Sequence, residues 1–424
     1  MIKKSILIAC LFLSVVTFAQ ETTSSPYSFY GIGEVRFKGT AENRSMAGLS
    51  IAPDSIHINL QNPAGFADLK LIGFSIGGTY TDTKQKTVSQ SGSAQRVGLD
   101  YLAVGLPLGK LGMGFGLIPY SSVGYKIQNV FDGTAQISKR LSGSGGLNKV
   151  FLGFGYKLTP NLSIGADVQY NFGEIETSNF EFYTTIPNGS LVTNSAILSG
   201  VNYNFGAMFQ AKINTKTSVY TSLNFSPQNT LTSKNTQNIA VANYNSLYDL
   251  TIIGDPIESK EQVDLKFNNK VTFGAGLGES KKWLVGGEFS MQNEGNLNNS
   301  YNSSSKISYE KYMKFTLGGF YIPNYKSFTQ YVKRIVYRAG LRYEKTGLIV
   351  ASESPIVASE SITDKGLCLG FGIPLNGTFS NINIGFELGK RGSTTQANLV
   401  QENYMNLSVG FSLNDKWFEK RKFN

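Results

Sequence analysis

The chain has little of what most catalytic or metal-binding folds use. Its 424 residues hold two cysteines and one histidine, which excludes a disulfide framework and a zinc site built from several Cys or His ligands. Charged residues make up only 16%, and the net charge of +10 is diffuse, with no dense Lys/Arg run before the last eight residues. Nucleic acid is therefore not an expected partner. Long helical blocks of Ala, Leu and Glu, usual in a soluble α/β enzyme of this length, are missing. After residue 19 no apolar run approaches the roughly 18 residues of a membrane helix. Glycine and aromatic residues take their place, with Gly at 46, Phe at 28 and Tyr at 22. So many aromatics with so few charges exclude disorder as the main state.

Residues 1–19 read as a secretory signal. Lys3 and Lys4 form the positive region, Ile6 to Phe18 the apolar stretch, and Thr17-Phe18-Ala19 a small-x-small cleavage site. The cut is expected after Ala19. A lipoprotein signal ending at Cys10 is the rival; it would shorten the apolar region to about five residues, below the usual range. Cys368, alone in an apolar strand, reads as a small hydrophobe.

The dominant pattern has period two. Leu162, Ile164, Ala166, Val168, Tyr170 and Phe172 alternate with Ser163, Gly165, Asp167, Gln169 and Asn171. Val201, Tyr203, Phe205, Ala207 and Phe209 form a similar row, as do Ile335, Tyr337, Ala339, Leu341 and Tyr343. One face is apolar and aromatic, the other small or polar. In a soluble sandwich the apolar face is the core; in a membrane barrel it faces lipid. Segment length separates the two. About 14 segments of roughly 10–15 residues fit a tilted membrane strand, whereas soluble strands usually run five or six. Tight turns such as Leu108-Gly109-Lys110 and Thr159-Pro160-Asn161 alternate with long polar stretches at 127–146, 175–199 and 227–262. That alternation is the periplasm-versus-exterior arrangement of the outer membrane of a Gram-negative bacterium. The expected fold is all-β: a closed antiparallel transmembrane β-barrel over 69–414, followed by a basic-aromatic periplasmic tail at 415–424. In that tail Trp417, Phe418 and the Lys/Arg residues sit at headgroup level or dock a periplasmic partner.

Residues 20–68 lack the alternation. They contain Arg44-Ser45-Met46-Ala47-Gly48, Ala52-Pro53-Asp54-Ser55 and Asn62-Pro63-Ala64-Gly65-Phe66-Ala67. This order resembles the N-terminus of the FadL family of outer-membrane transporters for hydrophobic compounds. Gly114 to Tyr120 is similar to that family's third strand, and Leu158 to Ala166 to one of its hairpins. The resemblance implies a hatch at 20–68 folded inside the barrel and an inward kink in the third strand, opening a lateral exit for small hydrophobic, fatty-acid-like molecules. Asn62, Pro63, Ala64 and Gly65 would anchor or gate the hatch, or form an ordinary Asx-Pro turn that starts the barrel. Gly116 and Pro119 would form the kink, since proline breaks a ladder bond, or Pro119 merely ends pairing near the rim. In the stretch 175–199, Phe180, Phe182, Tyr183 and Ile186 would form a hydrophobic docking loop.

Arg338 and Arg342 alternate onto the lumen face, where they neutralise a carboxylate ligand or pair with acids of the lumen or hatch; facing lipid would cost about 2–4 kcal/mol each. His57 lies near Asp54 and Ser55, but no G-x-S-x-G elbow accompanies it. Gly143 to Lys149 lacks the G-K-[ST] of a phosphate loop and reads as a flexible extracellular loop. No catalytic residue, metal ligand or cofactor is assigned. Two functions remain: a channel for passive hydrophobic uptake, and a structural or accessory subunit of an outer-membrane complex that transports nothing. The partners expected are outer-membrane lipid, a hydrophobic small-molecule ligand and, for the second function, an outer-membrane or periplasmic protein.

Overall fold

The computed structural model describes residues 23–131, 136–186, 188–244, 250–295, 307–327, 329–350, 359–394 and 399–416. The export signal with its expected cut after Ala19, and the tail from residue 417, lie outside them.

Six long strands come first: β1 (Ile72–Lys86), β2 (Ser91–Leu108), β3 (Leu111–Asn129), β4 (Ser138–Lys157), β5 (Leu162–Phe182) and β6 (Asn188–Lys212). β7 runs as Ser218–Ser226 and, past a break at Pro227, as Asn229–Tyr244. β8 likewise runs as Leu250–Phe267 and Lys270–Glu279. Next come β9 (Trp283–Gln292) and β10 (Ile307–Tyr309, then Tyr312–Tyr321). β11 (Val336–Val350), β12 (Glu360–Pro374), β13 (Asn381–Arg391) and β14 (Gln401–Asp415) complete the set. Each strand pairs antiparallel with the next, and β14 returns to β1 from Gln401↔Lys86 to Asp415↔Ile72. The result is a closed 14-strand barrel.

Burial follows the period-two pattern inside out. Leu152, Phe154, Val168, Tyr203, Phe205, Phe315, Leu341 and Leu369 are exposed on the outside. Their neighbours Asp167, Asn204, Thr316, Arg338, Asn383 and Glu387 are buried. Polar residues inside and apolar ones outside suit a lipid solvent and exclude the soluble sandwich.

The stretches expected as long loops are largely strand. β5 and β6 run 21 and 25 residues, about twice the 9–11 needed to cross a bilayer. Residues 175–199 are therefore the upper part of a tall hairpin, and 227–262 belong mostly to a second one formed by β7 and β8. Above the membrane both faces meet water or other protein, so apolar alternation lapses there while the ladder continues. Gly143 to Lys149, expected as a loop, lies within β4 and pairs with both β3 and β5.

Residues 23–71 occupy the barrel interior. The 3-10 turn Pro63–Asp68 packs on β3, β4, β5 and β6, and the helix Ala41–Arg44 on β12, β13 and β14. Wall glycines make the room. A Cβ at Gly165 would meet the backbone of Pro63 and Ala64 at 2.5 Å, and one at Gly340 would meet the backbone of Met46 at the same distance. Gly165→Val should therefore unseat the turn, with an overpacking cost of about 1–3 kcal/mol, while the barrel still closes. Trypsin digestion read by mass spectrometry should then cut within 23–71 in the folded variant. Protection equal to that of the parent would mean that Gly165 does not seat the turn.

Candidate functional site

Among the described residues, the barrel wall parts between β2 and β3. β2 pairs with β1 over almost its whole length, from Gly73↔Gly105 to Lys86↔Ser91. Its pairing with β3 covers only Leu102↔Leu117 to Leu108↔Leu111. Above that level β3 leaves β2 while staying on β4, with a register shift between Pro119 and Ser121. Gly116, paired with Ala103, is the last residue but one before the strands part. Pro119 sits just past the parting, where its missing N–H breaks no needed bond.

The interior segment fills the gap. Glu34 and Val35 add to the free edge of β3 as a two-residue strand, Glu34↔Ser122 and Val35↔Ser121. The Arg36 amide extends this by donating to the Tyr120 carbonyl at 2.9 Å. Gly33 enters at φ +89°, and a side chain there would collide with Ser122 and Val123; both the conformation and the close approach call for glycine. On the β2 side the contact is electrostatic. Arg36 and Arg44 reach Asp100 at 3.2 and 3.4 Å, and Arg96 reaches Glu34 at 3.5 Å. Glu34 also takes Arg391 of β13 at 2.6 Å. Burial alone would raise the Glu34 carboxyl, but Arg391 and Arg96 outweigh it and hold it below the usual range.

Lower in the lumen, Glu42 accepts from Asn383 at 2.7 Å and Ser412 at 2.9 Å. His57 bridges it, with Nδ1 2.8 Å from Asp54 and Nε2 3.5 Å from Glu42. Burial would lower the His57 pKa, but Asp54 and Glu42 together raise it, against a smaller opposing effect of Arg338. Two carboxylates around one imidazole, with no hydroxyl in range for activation, make an anchor and not a triad.

Asn62 makes contacts both within its own turn and to the wall. Its Oδ1 accepts from the Ala64 amide at 3.0 Å, closing an Asx turn with Pro63 in the first position. Its Nδ2 donates to the carbonyls of Ala207 in β6 and Leu223 in β7, at 3.3 and 3.1 Å. Ala64 and Gly65 are buried in the same turn. Arg338 donates to Asn383 at 2.9 Å. Arg342 pairs with Glu387 at 2.8 Å and Asp364 at 3.4 Å. Both arginines thus lie in the lumen, bound to wall residues.

Phe180 and Phe182 are not on an open loop. They are buried in β5 with stacked rings 5.0 Å apart, packed with Leu191 and Ala242. Tyr183 and Ile186 follow in the turn, where Ile186 is exposed. Further down the same strand, Ile175 joins Val123, Tyr125, Leu147, Leu198 and Leu231 in a second apolar cluster, which Ile32 and Phe29 of the interior segment cover. Val123 and Tyr125 belong to the part of β3 that borders the gap. Sequence reasoning did not find Glu34, Asp100 or Arg391. The usable signal was that a charge inside a membrane strand has to face inward.

Over its full length, residues 1–424, the chain matches the BamG family. The chain belongs to the BamG family. No curated protein sequence matches it. The Pseudomonas putida toluene transporter TodX superposes with a TM-score of 0.60 at 15% identity, covering 91% of this chain and 100% of its own. The CymD monoaromatic hydrocarbon channel gives 0.55 at 13%, with 90% and 99% covered. A FadL homologue of Pseudomonas aeruginosa gives 0.58 at 11%, with 91% and 100% covered. At these identities the likeness is one of fold. This BamG-family chain has the FadL-type barrel that its N-P-A-G-F-A motif implied.

The His57 anchor gives a pH signature. A histidine whose folded pKa is raised stabilises the seated segment fully below its unfolded pKa of about 6.5, and that contribution is lost as pH rises through the folded value. Hydrogen exchange of residues 40–60 should therefore quicken as pH climbs from 6 towards 9, beyond the intrinsic rate increase. His57→Gln should abolish that excess. An equal excess in the variant would assign it to another group.

Proposed function

We propose that this BamG-family chain is an outer-membrane channel for passive uptake of small hydrophobic molecules, fatty-acid-like in character, that leave sideways into the membrane. The observation that carries this reading is the parting of β2 and β3, across which the interior segment lies, with residues 34–36 on the edge of β3. A solute would enter by the β5–β6 hairpin, where Ile186 is exposed above Phe180 and Phe182, and descend over the apolar cluster of Val123, Tyr125 and Ile175. Phe29 and Ile32 occupy that cluster in the closed state, so passage requires residues 26–36 to withdraw. The gap then lies beside the apolar cluster, and release into lipid needs no energy source. The likeness in fold to a toluene transporter and a monoaromatic hydrocarbon channel supports the same reading.

A second reading, an accessory subunit of an outer-membrane complex without a transported substrate, has its own observations. The interior segment is tied by ion pairs to β2 and β13, and removing one partner of a buried pair costs about 3–5 kcal/mol. Such ties resist withdrawal. The β7–β8 hairpin also carries Ile252, Ile253 and Ile257 exposed to water, a surface a partner protein would cover. The full-length family match bears a name of its own and not that of a transporter.

Locking the gap separates the two. Val35 and Ser121 are direct cross-strand partners, at a spacing that admits a disulfide, and native Cys368 is buried. Cells carrying Val35→Cys/Ser121→Cys should take up a labelled long-chain fatty acid at the background rate of a deletion strain when oxidised, and at the parental rate after reduction. Parental uptake by the fully oxidised form would overturn lateral release. Loss of an outer-membrane complex on truncating the 229–267 hairpin, with uptake intact or absent throughout, would establish the accessory function.

A further inference from the structure

Beside the interior segment the lumen holds a chamber of about 470 Å³. Four lysines converge on it: Lys149 from β4, Lys270 from β8, Lys314 from β10 and Lys38 from the interior segment. Elsewhere in this lumen most deep cations have carboxylate partners, Arg338 on Asn383 being an exception. Arg36 and Arg44 share Asp100, Arg342 has Asp364 and Glu387, and Arg391 has Glu34, Asp364 and Glu402. Among the described residues, none of the four lysines has a carboxylate within ion-pair distance. Three of them lie over aromatic rings instead. Lys149 Nζ is 4.0 Å from the centre of the Tyr120 ring, Lys270 4.9 Å from Tyr312, and Lys314 5.4 Å from Phe37. A ring face attracts an ammonium group without cancelling its charge.

The carboxylates nearby do not balance the set. Of the carboxylates that line the chamber, Glu34, Asp364, Glu387 and Glu402 are held by arginines, which leaves Glu288, Glu310 and Glu344 against the four lysines, and Glu288 already accepts from the Ser50 amide at 3.3 Å. Asp167 acts on Lys38 and Lys149 from a distance, while bonded to Gln169 and Asn204. Lys149 is only 6% exposed. Buried like charges disfavour one another and the folded state, so an anion placed between the lysines would stabilise the arrangement.

We propose that the chamber is a binding site for a phosphate group, carried by an anionic lipid headgroup or free in solution. The donors favour phosphate over a planar carboxylate. Ammonium groups are compact point charges that can surround a tetrahedral anion, whereas the guanidinium forks suited to bidentate carboxylate binding are committed to Asp100, Asp364 and Glu387. Residues 34–36, which add to the edge of β3 at the gap, also line the chamber, so the site lies beside the parting in the wall. This assignment goes beyond the proposed uptake and does not depend on it, because an occupied phosphate site is compatible with either function.

The test uses the full chain purified in a non-ionic detergent, with inorganic phosphate in one arm and short-chain phosphatidylglycerol in the other, each read by thermal unfolding and phosphorus NMR. The parent should bind at least one probe saturably and unfold at a higher temperature with it. Saturation by both identifies a free phosphate group as sufficient, and saturation by the lipid alone identifies a headgroup. Lys149→Gln/Lys314→Gln should weaken binding by at least about tenfold, whereas Lys260→Gln on the exposed β8 extension should leave it unchanged. Lys149→Met alone should unfold at a higher temperature than the parent in phosphate-free buffer, having lost an uncompensated charge, and should lose most of the probe-induced shift. A structural lysine would give the opposite sign. Absence of binding to either probe, or equal binding by the parent and the Lys149→Gln/Lys314→Gln variant, would overturn the proposal. If that variant does not fold, the Lys149→Met comparison decides alone.

Discussion

Hydrocarbon offers no hydrogen-bond partner, so a chain crossing it as strands must satisfy each backbone N–H and C=O within the sheet; a group left open costs several kcal/mol. The rest of this structure answers to that constraint. It accounts for the closure of β14 onto β1, for the antiparallel ladder that continues into the tall hairpins, and for the filling of the parting between β2 and β3. Where β2 and β3 separate, backbone groups along both edges lose their partners. The interior segment supplies two cross-strand pairs and one further amide bond to β3, and charged side chains towards β2. The seal is thus made by backbone on one side and by electrostatics on the other. The two sides differ in what would release them: the first yields to any competing strand, the second to a change in charge or to a competing ion.

A second consequence is that the core is inverted. A charge on the outer face costs about 2–4 kcal/mol at mid-membrane, so ionisable residues at that level are driven into the lumen, where a limited interior must neutralise them, while Lys365 and Lys390 stay exposed on outward positions. Wall and segment divide the task. Glu34 meets Arg391 and Arg96, while Arg36 and Arg44 meet Asp100. The segment is held less by its own secondary structure, which is one turn of helix and two short 3-10 turns, than by charges that the wall could not expose to lipid. Partner exchange between strands far apart in the chain makes the network cooperative: moving Glu34 would leave Arg391 with Asp364 and Glu402 but would strip Arg96 of its carboxylate.

This explains which features were legible in the sequence. The barrel, its strand number and its lipid-facing rows were readable from Leu162 to Phe172 and from Val201 to Phe209, because a strand with lipid on one face and a polar lumen on the other imprints its alternation locally. The Asx turn at Asn62 was readable because its first bond spans two residues. The reach of Asn62 to Ala207 and Leu223 was not, and the pairing of Glu34 with Arg391 spans 357 positions, with nothing local to mark it. The heights of the β5–β6 and β7–β8 hairpins were missed for a different reason: above the membrane neither face has to be apolar, so the ladder persists where the pattern ends. The inward rule used for Arg338 and Arg342 would also have placed Asp100, Lys149, Lys270 and Lys314 in the lumen; what it could not supply was which of them find partners.

The segment therefore carries two kinds of contact with different responses to a ligand. Phe29 and Ile32 cover an apolar cluster, and a hydrophobic solute can replace them at little net cost because the buried area is similar before and after. Glu34, Arg36 and Arg44 cannot be replaced in that way, since a hydrocarbon offers nothing to the Arg96 or Asp100 left behind. A purely apolar ligand would loosen the upper part of the segment and leave the gap sealed. Under the proposed lateral release, opening the gap would require in addition a group that compensates charge, supplied by an anionic ligand, by lipid headgroups at the rim of the opening, or by a protein that takes over the ion pairs. The charged half of the seal, made by the contacts of Glu34 and Arg36, would then decide which class of molecule can act on it.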